Sequence, residues 1–360
     1  MLKETYKIPP LPPHASFETM RIMQSLTRAS RSLAEVKGRA PVIPNQGILI
    51  DTLSLQEARD STEIENIVTT NDVLFRGDYK GDGGLSGAAK EVAMYRQALY
   101  FGHERLCETG LITNRTLVEM FRILKNRDDG FRSTPGTVLE SSPGKIVYIP
   151  PQVPADIVAQ MRALEAYINV HDGLDPLIRM AIIHHQFESI HPFPDGNGRL
   201  GRMLNVLYLV KEGLLSIPIL YMSRGINQSK AEYYRLLQAL RDDGAWEDWV
   251  LYVLNVVTRT SEITLSLIEG IRRQMARVKD TIRNNLPKIY SQDLVNNLFR
   301  HPYTRIEYVM NDLGVSRPTA TSYLEKLVAD RDLNIEKISE GRNSYYVNVG
   351  LVSLLAESER

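Results

Sequence analysis

The sequence predicts a mainly α-helical fold that carries two small β-hairpins. Three observations support this prediction. From Ala88 to about Val278, apolar residues recur at the i, i+3, i+4 and i+7 spacing of amphipathic helices in almost every stretch. One interruption, with Pro143 and Gly144 at the centre of a turn between residues 137–140 and 145–149, predicts a hairpin inside the helical region. Towards the C-terminus, residues 306–349 predict two helices joined by a tight turn and then a second hairpin.

The first fifty residues combine a proline-rich segment with a helix. Pro9–Pro13 favours an extended backbone. We expect this segment to pack against the main body, and binding of a partner in polyproline conformation is the alternative. A helix is expected from about Ser16 to Val36, with these residues among its buried positions: Met20, Met23, Leu26 and Leu33. A second helix is expected to start at Ser54, because residues 54–57 form a capping box.

The long helical region begins after a glycine-rich stretch, residues 75–87, which predicts a flexible loop. A phosphate-binding loop is disfavoured there, because no strand precedes it and no Lys-Ser/Thr pair follows. The helices of this region are expected near residues 93–106, 117–124, 157–168, 177–187, 200–209, 230–240 and about 246–275. The later helix pair is expected over 306–313 and 317–329, and its hairpin over 333–338 and 344–349.

Length and composition bound the function. A chain of 360 residues is too long for one ordinary core, so two or three domains are expected. Equal numbers of basic and acidic residues, 43 each, argue against a general attraction to nucleic acid or anionic membranes. A single cysteine, Cys107, excludes an intrachain disulfide and fits a reducing compartment. No apolar run is long enough to span a bilayer, and the first residues lack the pattern of a signal peptide, so we expect a cytoplasmic protein.

The stretch from His191 to Arg202 is the most informative part of the chain. Gly196 and Gly198 allow the backbone to approach a ligand and to turn its N–H groups towards an anion. The following helix points its positive N-terminus at the same place. Arg199 and Arg202 can clamp phosphate oxygens, Asp195 can hold a divalent cation, and His191 is the group near neutral pKa that can accept a proton. The stretch therefore predicts a polyphosphate site beside a histidine.

This stretch resembles a known family. Residues 191–202 match, position for position, the signature His-x-Phe-x-(Asp/Glu)-Gly-Asn-Gly-Arg-x-x-Arg of the Fic proteins, most of which transfer AMP from ATP to a hydroxyl on a target protein. The resemblance implies a Fic-type helical bundle, ATP as co-substrate and Mg²⁺ or Mn²⁺ as cofactor. The implied acceptor is a Tyr, Thr or Ser hydroxyl of a target protein or of the chain itself. The implied catalytic residues are His191, Asp195, Asn197, Arg199 and Arg202, with Asp195 as the metal ligand.

The nucleotide contacts that the resemblance implies extend beyond the loop. Adenine is expected at Asn227 and Tyr234, whereas Phe193 is expected to anchor the loop in the core. The full set of expected ATP contacts is Glu65, His191, Gly196, Asn197, Gly198, Arg199, Leu200, Gly201, Arg202, Asn227 and Tyr234. His184 and His185 are adjacent on a helix and point different ways, so we expect packing or surface roles for them and no shared metal.

Two further segments resemble regulatory and substrate-binding parts of the family. Residues 61–66 fit the inhibitory motif (Ser/Thr)-x-x-x-Glu-(Gly/Asn), with Ser61, Glu65 and Asn66 at its specified positions. The resemblance implies that Glu65 pairs with Arg202, which then cannot orient the γ-phosphate; an ordinary solvated carboxylate is the alternative. The hairpin takes the place of the family's flap, which would hold a target by strand addition through Lys145, Ile146, Val147 and Tyr148.

Three domains are expected. The first, 1–85, is an N-terminal extension with an inhibitory helix at about 54–67. The second, 86–279, is the catalytic domain with flap 136–151 and loop 191–202. The third, 280–360, resembles winged-helix domains. DNA binding there would use Arg317, Thr319, Thr321, Ser322 and Arg342. Ten basic and ten acidic side chains follow residue 280, so DNA is not favoured, and protein docking or a homodimer is preferred.

Other functions stay open at this point. The chain could be a DNA-binding regulator whose helical domain senses ATP. It could transfer a different nucleotide, or remove AMP with Glu65 assisting a water molecule. An inactive scaffold would bind the nucleotide without transferring any part of it.

Overall fold

A computed structural model describes residues 6–67, 87–142, 144–340 and 343–357. The described part is mainly helical, as predicted, with small antiparallel sheets. Its elements in chain order are α1 Met20–Arg39, α2 Gly47–Ile64, α3 Ala88–Thr109, α4 Asn114–Lys125, β1 Leu139–Ser142, β2 Lys145–Tyr148, α5 Pro154–Asn169, α6 Pro176–Ile190, α7 Asn197–Lys211, α8 Met222–Gln228, α9 Lys230–Asp243, α10 Trp246–Asn285, α11 Gln292–Arg300, β3 Tyr303–Thr304, α12 Ile306–Leu313, α13 Arg317–Ala329, β4 Ile335–Glu340, β5 Asn343–Asn348 and α14 Val349–Glu357. Within these ranges, every helix lacks the combination of length and apolar character needed to cross a bilayer.

The chain forms two compact units. The first comprises Met1–Lys37, Ser54–Thr69 and Ser86–Ser261. Its centre is α6, in which every residue from Leu177 to Ile190 is buried. A helix that is buried on all sides must satisfy its polar groups internally. The Trp249 indole N–H of α10 donates to the Ala181 carbonyl of α6 at 2.8 Å.

The part of α2 from Ser54 onwards is the second buried element of this unit. Every residue from Ser54 to Thr62 is buried, although most of them are polar. The prediction that this helix starts at Ser54 is wrong, because the helix already begins at Gly47. The Gly47 N–H donates to the Asn45 side chain at 3.0 Å, which caps the helix there. Ser54 therefore lies inside the helix, and a capping-box pattern alone did not distinguish an interior turn from a first turn.

The helix α1 starts later than expected, and its buried face is only partly the expected one. It begins after Thr19, whose hydroxyl accepts a hydrogen bond from the Ile22 N–H at 3.3 Å. Of the four residues expected to be buried, Leu33 is buried, Met23 and Leu26 are half-buried, and Met20 is 72% exposed. The buried face consists of Ile22, Ala29, Leu33 and Val36. The periodicity was correct, but the long flexible Met20 was a poor marker of the buried side.

The proline-rich segment lies against the same unit. The Gln186 side chain donates to the Pro9 carbonyl at 3.2 Å. Tyr6 packs edge-on against Tyr148 and His185, with ring centroids 6.1 and 6.2 Å apart respectively. The segment thus packs against the main body, which is the expectation we preferred over partner binding.

The first hairpin has the predicted position. Strands β1 and β2 pair in antiparallel fashion, with Leu139 opposite Tyr148. Gly144 has φ of 80°, a value that favours glycine in such a turn. Pro143 lies outside the described residues, as do residues 75–86 of the predicted glycine-rich loop.

The second compact unit comprises Gly38–Leu53, Thr70–Leu85 and Glu262–Arg360. Its sheet has the strand order β3-β5-β4, and the central strand β5 buries Tyr345, Tyr346 and Val347. The helices α12 and α13 have the predicted bounds and are separated by Gly314, which ends α12 at φ of 64°. Arg342, expected at the tip of the second hairpin, lies outside the described residues.

Candidate active site

The loop between α6 and α7 is held in one conformation by its own side chains. Asn197 accepts a hydrogen bond from the Phe193 N–H and donates one to the Phe193 carbonyl, both at 2.8 Å. Phe193 is fully buried and stacks on Phe121 with ring centroids 4.5 Å apart. Gly196 takes the left-handed φ of 74° that starts α7. The side chains of the loop itself therefore define the shape of the turn.

His191 ends α6 and is half-buried beside the loop. It has a left-handed backbone with φ of 50°, and its N–H donates to the Phe187 carbonyl at 2.9 Å. Burial lowers the pKa of the imidazole to about 4, and the positive charges of Arg132 and Arg241 act in the same direction. The ring is therefore neutral at pH 7, which is the form that accepts a proton.

Arg202, one turn into α7, is fully buried and bound to the end of α2. Its Nε donates to the Ser61 hydroxyl, and its Nη2 donates to the Ser61 carbonyl and to Glu65 Oε1, each at 2.8 Å. Planar guanidinium groups bind strongly when several donors are engaged at once. The structure thus brings together the two residues, Glu65 and Arg202, that the inhibitory motif relates.

The backbone at the end of α2 explains the last position of that motif. Asn66 is left-handed at φ of 63°. The Ile67 N–H donates to the Thr62 carbonyl at 3.1 Å, and the Asn66 N–H to the Glu63 carbonyl at 2.9 Å. This pair of bonds is a Schellman ending, which favours glycine or asparagine at the left-handed residue. The ending fixes the direction in which Glu65 leaves the helix.

Gly198 provides the space for the Glu65 carboxylate. A Cβ at Gly198 would overlap Glu65 Oε1 and would lie 2.9 Å from Arg202 Nη1. The carboxylate therefore lies directly against the first turn of α7. The N-terminus of a helix attracts an anion, and here the chain supplies that anion itself.

Four charged side chains, which we call the charge quartet, lie at the other side of the loop: Glu91, Lys125, Asp195 and Arg199. Arg199 is buried and donates to Glu91 in a short hydrogen bond. Lys125 Nζ lies 2.6 Å from Asp195 Oδ2 and 3.6 Å from Glu91 Oε1. Burial alone would raise the pKa of Asp195, but the Lys125 ammonium and the Gly196 N–H hold it below its ordinary value. Two positive and two negative groups balance one another within the quartet.

The donor set at Asp195 fits a magnesium ion. The side chain is 60% exposed, and Mg²⁺ is held in nucleotide sites by one or two carboxylates, substrate phosphates and several waters. One oxygen of Asp195 accepts from the Gly196 N–H at 2.6 Å, and the other meets Lys125. Among the described residues, no group of three or more His, Cys, Asp or Glu side chains could hold an ion alone.

Two of the expected ATP contacts face the core. The Leu200 N–H donates to the Gly196 carbonyl at 3.0 Å, and the Leu200 side chain is fully buried. Gly201 packs against α6, because a Cβ there would lie 2.6 Å from Glu188 Oε1. Leu200 is thus a core residue, and Gly201 allows α7 to lie close to α6.

The expected adenine contacts lie on α8 and α9. Asn227 is half-buried near the end of α8. Tyr234 is 45% exposed, and burial together with the charge of Glu65 raises its pKa. Lys230, at the start of α9, donates to the Asn66 side chain at 2.8 Å. The start of α9 is therefore adjacent to the end of α2 and to Glu65.

The four flap residues divide into two kinds. Lys145, Ile146 and Val147 are exposed, as an edge that binds another strand requires. Tyr148 is buried instead, and its hydroxyl donates to the Ser189 carbonyl at 2.8 Å. It anchors the hairpin to the last turn of α6.

His184 and His185 have packing roles. His184 is hydrogen-bonded to the Tyr233 hydroxyl at 2.8 Å and to the Asn205 side chain at 3.1 Å. His185 lies 3.3 Å from the Ser189 hydroxyl. Both are fully buried, which fits the packing role expected for them and not the surface role.

Sequence reasoning missed three residues that contact the loop: Glu91, Lys125 and Arg132. Each reaches it across a large separation, 108 positions for Glu91 to Arg199 and 59 for Arg132 to His191. An acidic residue in the first turn of α3 and a lysine in the last turn of α4 are ordinary choices at helix ends. Their local sequence therefore carries no signal of a site.

Three family models match the chain. The Fic/DOC family N-terminal model matches residues 23–104, and the Fic/DOC family model matches residues 111–209. A third, the protein adenylyltransferase SoFic-like C-terminal domain, matches residues 274–351. Together these stretches cover well over half of the chain, and the second contains the whole loop.

Curated relatives are similar over part of their length. A probable protein adenylyltransferase of Aquifex aeolicus is 30% identical over 226 residues, which are 61% of this chain and 63% of that protein. Protein adenylyltransferase Fic of Drosophila mojavensis is 27% identical over 136 residues, 37% of this chain and 26% of that protein. The chain thus matches less than two thirds of the first and about a quarter of the second.

Solved structures share the fold. A Fic family protein from Desulfovibrio desulfuricans superposes with a TM-score of 0.57 at 21% identity, over 94% of this chain and 97% of that one. Fic-1 from C. elegans superposes with a TM-score of 0.52 at 21% identity, over 69% of this chain and 73% of that one. The matched models, the loop between α6 and α7 and these structures agree, and the chain belongs to the Fic/DOC family.

Proposed function

We propose that the chain is a protein adenylyltransferase, which transfers AMP from ATP to a Tyr, Thr or Ser hydroxyl of a target protein or of itself. The observation that carries this proposal is the loop that places His191 just before the N-terminus of α7, with its turn closed by the hydrogen bonds between Asn197 and the Phe193 backbone. The names of the curated relatives support the reaction type.

In the proposed reaction, His191 accepts the proton of the acceptor hydroxyl as its oxygen attacks the α-phosphorus of ATP. The new O–P bond forms while the bond between the α-phosphorus and the bridging oxygen breaks, and pyrophosphate leaves with that oxygen. The amides at the start of α7, with Arg199 and Arg202, stabilise the negative charge that develops. When bound at Asp195, Mg²⁺ or Mn²⁺ would neutralise part of the phosphate charge.

We further propose that Glu65 restrains this reaction. Its carboxylate lies against Gly198 and holds Arg202, so it occupies the position where the helix N-terminus and the arginine would bind a phosphate. The same negative charge repels a triphosphate. Removing the carboxylate frees both groups at once.

Intact-mass analysis tests the proposal. The wild type, Glu65→Gly, His191→Ala and the double variant are incubated with Mg²⁺ and each of the four nucleoside triphosphates in turn. We expect Glu65→Gly to add AMP units from ATP at least about tenfold faster than the wild type, a restraint of about 1.4 kcal/mol. The double variant is expected to react about 10²- to 10⁴-fold more slowly than Glu65→Gly, because a general base usually contributes a factor of this size.

Glu63→Gly serves as the matched control, because it makes the same change two residues earlier in the last turn of α2. It should remain as slow as the wild type. A Glu65→Gly protein that is no faster than wild type contradicts the restraint. Modification from another nucleotide contradicts the choice of ATP, and nucleotide binding without any mass change favours an inactive scaffold.

We also propose that the C-terminal region is a winged-helix module for protein docking or homodimerisation, in a cytoplasmic protein. Arg317, at the start of α13, is paired with Glu307 at 3.0 Å, and the charge of this region is balanced. A gel shift with duplex DNA that Arg317→Ala abolishes would favour the DNA-binding alternative instead.

A further inference from the structure

Arg132 is a buried cation that no motif of the loop contains. It lies in the connection between α4 and β1 and is only 4% exposed. Its Nε donates to the His191 carbonyl at 2.7 Å, and its Nη2 donates to the Ile190 carbonyl at 3.3 Å and to the Pro151 carbonyl at 2.7 Å. Its backbone N–H donates to the Pro192 carbonyl at 2.7 Å. One residue thus contacts the backbone on both sides of His191.

The carbonyls of Ile190 and His191 need a hydrogen-bond donor from outside α6. The last carbonyls of a helix have no intrahelical donor, and the negative end of the helix dipole favours a cation there. Ile190 and His191 stand at this end of α6. His191 is also left-handed, which is unfavourable for a residue with a Cβ and persists only where the surroundings hold it. Arg132 supplies the cation at the end of the helix and also the hydrogen bonds that keep the His191 backbone in its left-handed conformation.

The remaining partner, Pro151, lies in the segment that directly follows the hairpin. It lies three residues after Tyr148, the last residue of β2. Tyr148 is itself attached to the end of α6, because its hydroxyl donates to the Ser189 carbonyl at 2.8 Å and its ring lies 4.0 Å beneath the Arg241 guanidinium. The hairpin and the end of α6 are therefore joined at two adjacent places.

We propose that Arg132 is a positioning residue that holds the target-binding hairpin and the catalytic loop in one fixed arrangement. This inference rests on the proposed function, since it assigns the hairpin to the target and His191 to proton transfer. The partners of the guanidinium named above are backbone carbonyls, so Arg132 acts through His191 and Pro151. Its charge also helps to keep the imidazole neutral.

The test compares three substitutions in the Glu65→Gly chain: Arg132→Gln, Arg132→Lys and, as a matched control, Arg127→Gln. Arg127 lies in the same connection and forms an exposed ion pair with Asp129. Three quantities are measured for each variant: the rate of AMP transfer, the affinity for a non-hydrolysable ATP analogue, and amide hydrogen exchange of peptides covering 139–151 and 188–199.

We expect Arg132→Gln to slow transfer about 10- to 100-fold, because small displacements of reacting groups have effects of this size. Affinity for the analogue should stay within about twofold, since the phosphate-binding groups are elsewhere, and exchange should accelerate in both peptides. Arg132→Lys, which keeps the charge but offers fewer fixed donors, should recover part of the rate. Arg127→Gln should behave like its parent.

Unchanged transfer and unchanged exchange in Arg132→Gln would overturn the inference. So would a loss of transfer that is accompanied by an equal loss of analogue affinity and a lower melting temperature, because that pattern indicates general damage. If the Glu65→Gly parent transfers nothing, the proposed function fails. The exchange measurement then decides alone whether Arg132 joins the hairpin to the loop.

Discussion

Lys125 and Asp195 form the ion pair that a divalent cation would have to replace. The ammonium lies 2.6 Å from Asp195 Oδ2, and its side chain is only 14% exposed. A metal ion and the Lys125 ammonium cannot both bind closely to the same carboxylate oxygen, because two positive charges would then repel each other. The charge quartet thus orients Asp195, and under the proposed function it would compete with the metal ion for this carboxylate.

Lys125→Gln is therefore expected to bind Mn²⁺ more tightly in the absence of nucleotide. An ion pair of this kind is worth about 0.5–1 kcal/mol, which corresponds to about a two- to fivefold change in affinity. Titration of wild type and variant, followed by the electron paramagnetic resonance signal of free Mn²⁺, measures this difference without any assay of transfer.

Lys90→Gln is the matched control, because Lys90 is exposed one residue before Glu91. It removes the same charge from the surface and should leave the Mn²⁺ affinity unchanged. Equal or weaker binding in Lys125→Gln would show that Lys125 does not compete for Asp195.

At the level of single residues, the sequence predicted what is encoded locally. The loop from His191 to Arg202 is one continuous segment, so its pattern alone indicates a phosphate site. The pairing of Glu65 with Arg202 spans 137 positions, and only the resemblance to a family suggested it. Lys125 and Arg132 had neither a local pattern nor a family motif, because their roles depend on which helices pack together.

The positions of helices and hairpins were predicted better than the residues at which the helices start. The helices α6, α7 and α9 lie where the apolar spacing placed them, and the hairpin was found from its Pro-Gly turn. The errors occurred at α1 and α2, where Met20 and the Ser54 capping pattern suggested the wrong face and the wrong start. Periodicity identifies a helix, but the neighbours of the helix decide which side is buried.

Three helices, α3, α4 and α7, pack closely at Gly102. A Cβ there would lie 2.6 Å from Met120 Sδ on α4 and 2.8 Å from Leu207 Cδ1 on α7. Gly102→Ala should therefore lower the free energy of unfolding by about 1–3 kcal/mol, the usual effect of overpacking a core. Urea unfolding followed by tryptophan fluorescence measures the change.

Gly38→Ala makes the same substitution where nothing lies within 4 Å of the new methyl group. Gly38 is exposed in the last turn of α1, so alanine should be neutral or stabilising by up to about 1 kcal/mol. Opposite signs for the two variants support close packing of α3 at Gly102. A neutral Gly102→Ala would show that Met120 and Leu207 can move aside freely.

For the whole molecule, the pH dependence of stability follows from buried titratable groups of the first unit. Burial lowers the pKa of His184 from 6.5 to about 3, that of His191 to about 4, and that of His185 in the same direction. The unfolded chain binds these protons near pH 6.5, so the stability contributed by the neutral histidines is complete above pH 6.5 and is lost as the pH falls towards 4.

Two buried carboxyl groups act in the opposite sense. Burial raises the pKa of Glu57 and of Glu188 from 4.5 to about 7. Their contribution is complete below pH 4.5 and is lost as the pH rises through 7. Between pH 4.5 and 6.5 the unfolded chain binds about three more protons than the folded chain at the histidines and about two fewer at the carboxyl groups, so it binds about one more in total. Below pH 4.5 the two carboxyl groups no longer differ between the two states, and only the histidines contribute.

The free energy of unfolding should therefore be highest near pH 6.5. It should fall by about 1.4 kcal/mol per pH unit down to pH 4.5 and more steeply below that. Urea unfolding at pH 7, 6, 5 and 4 measures this curve. Tryptophan fluorescence is a suitable signal, because Trp249 stacks on His184 with ring centroids 6.0 Å apart and Trp246 lies edge-on to His185 at 5.3 Å.

His185→Gln removes one of the three protonation sites and should reduce the slope below pH 4.5 by about one proton, or about 1.4 kcal/mol per pH unit. His14→Gln, at an exposed position, is the matched control and should leave the slope unchanged. A free energy of unfolding that stays constant or rises as the pH falls from 6.5 to 4 would contradict the argument. It would mean that the buried histidines already carry their protons in the folded chain, and that His191 is not held in the neutral form that a general base requires.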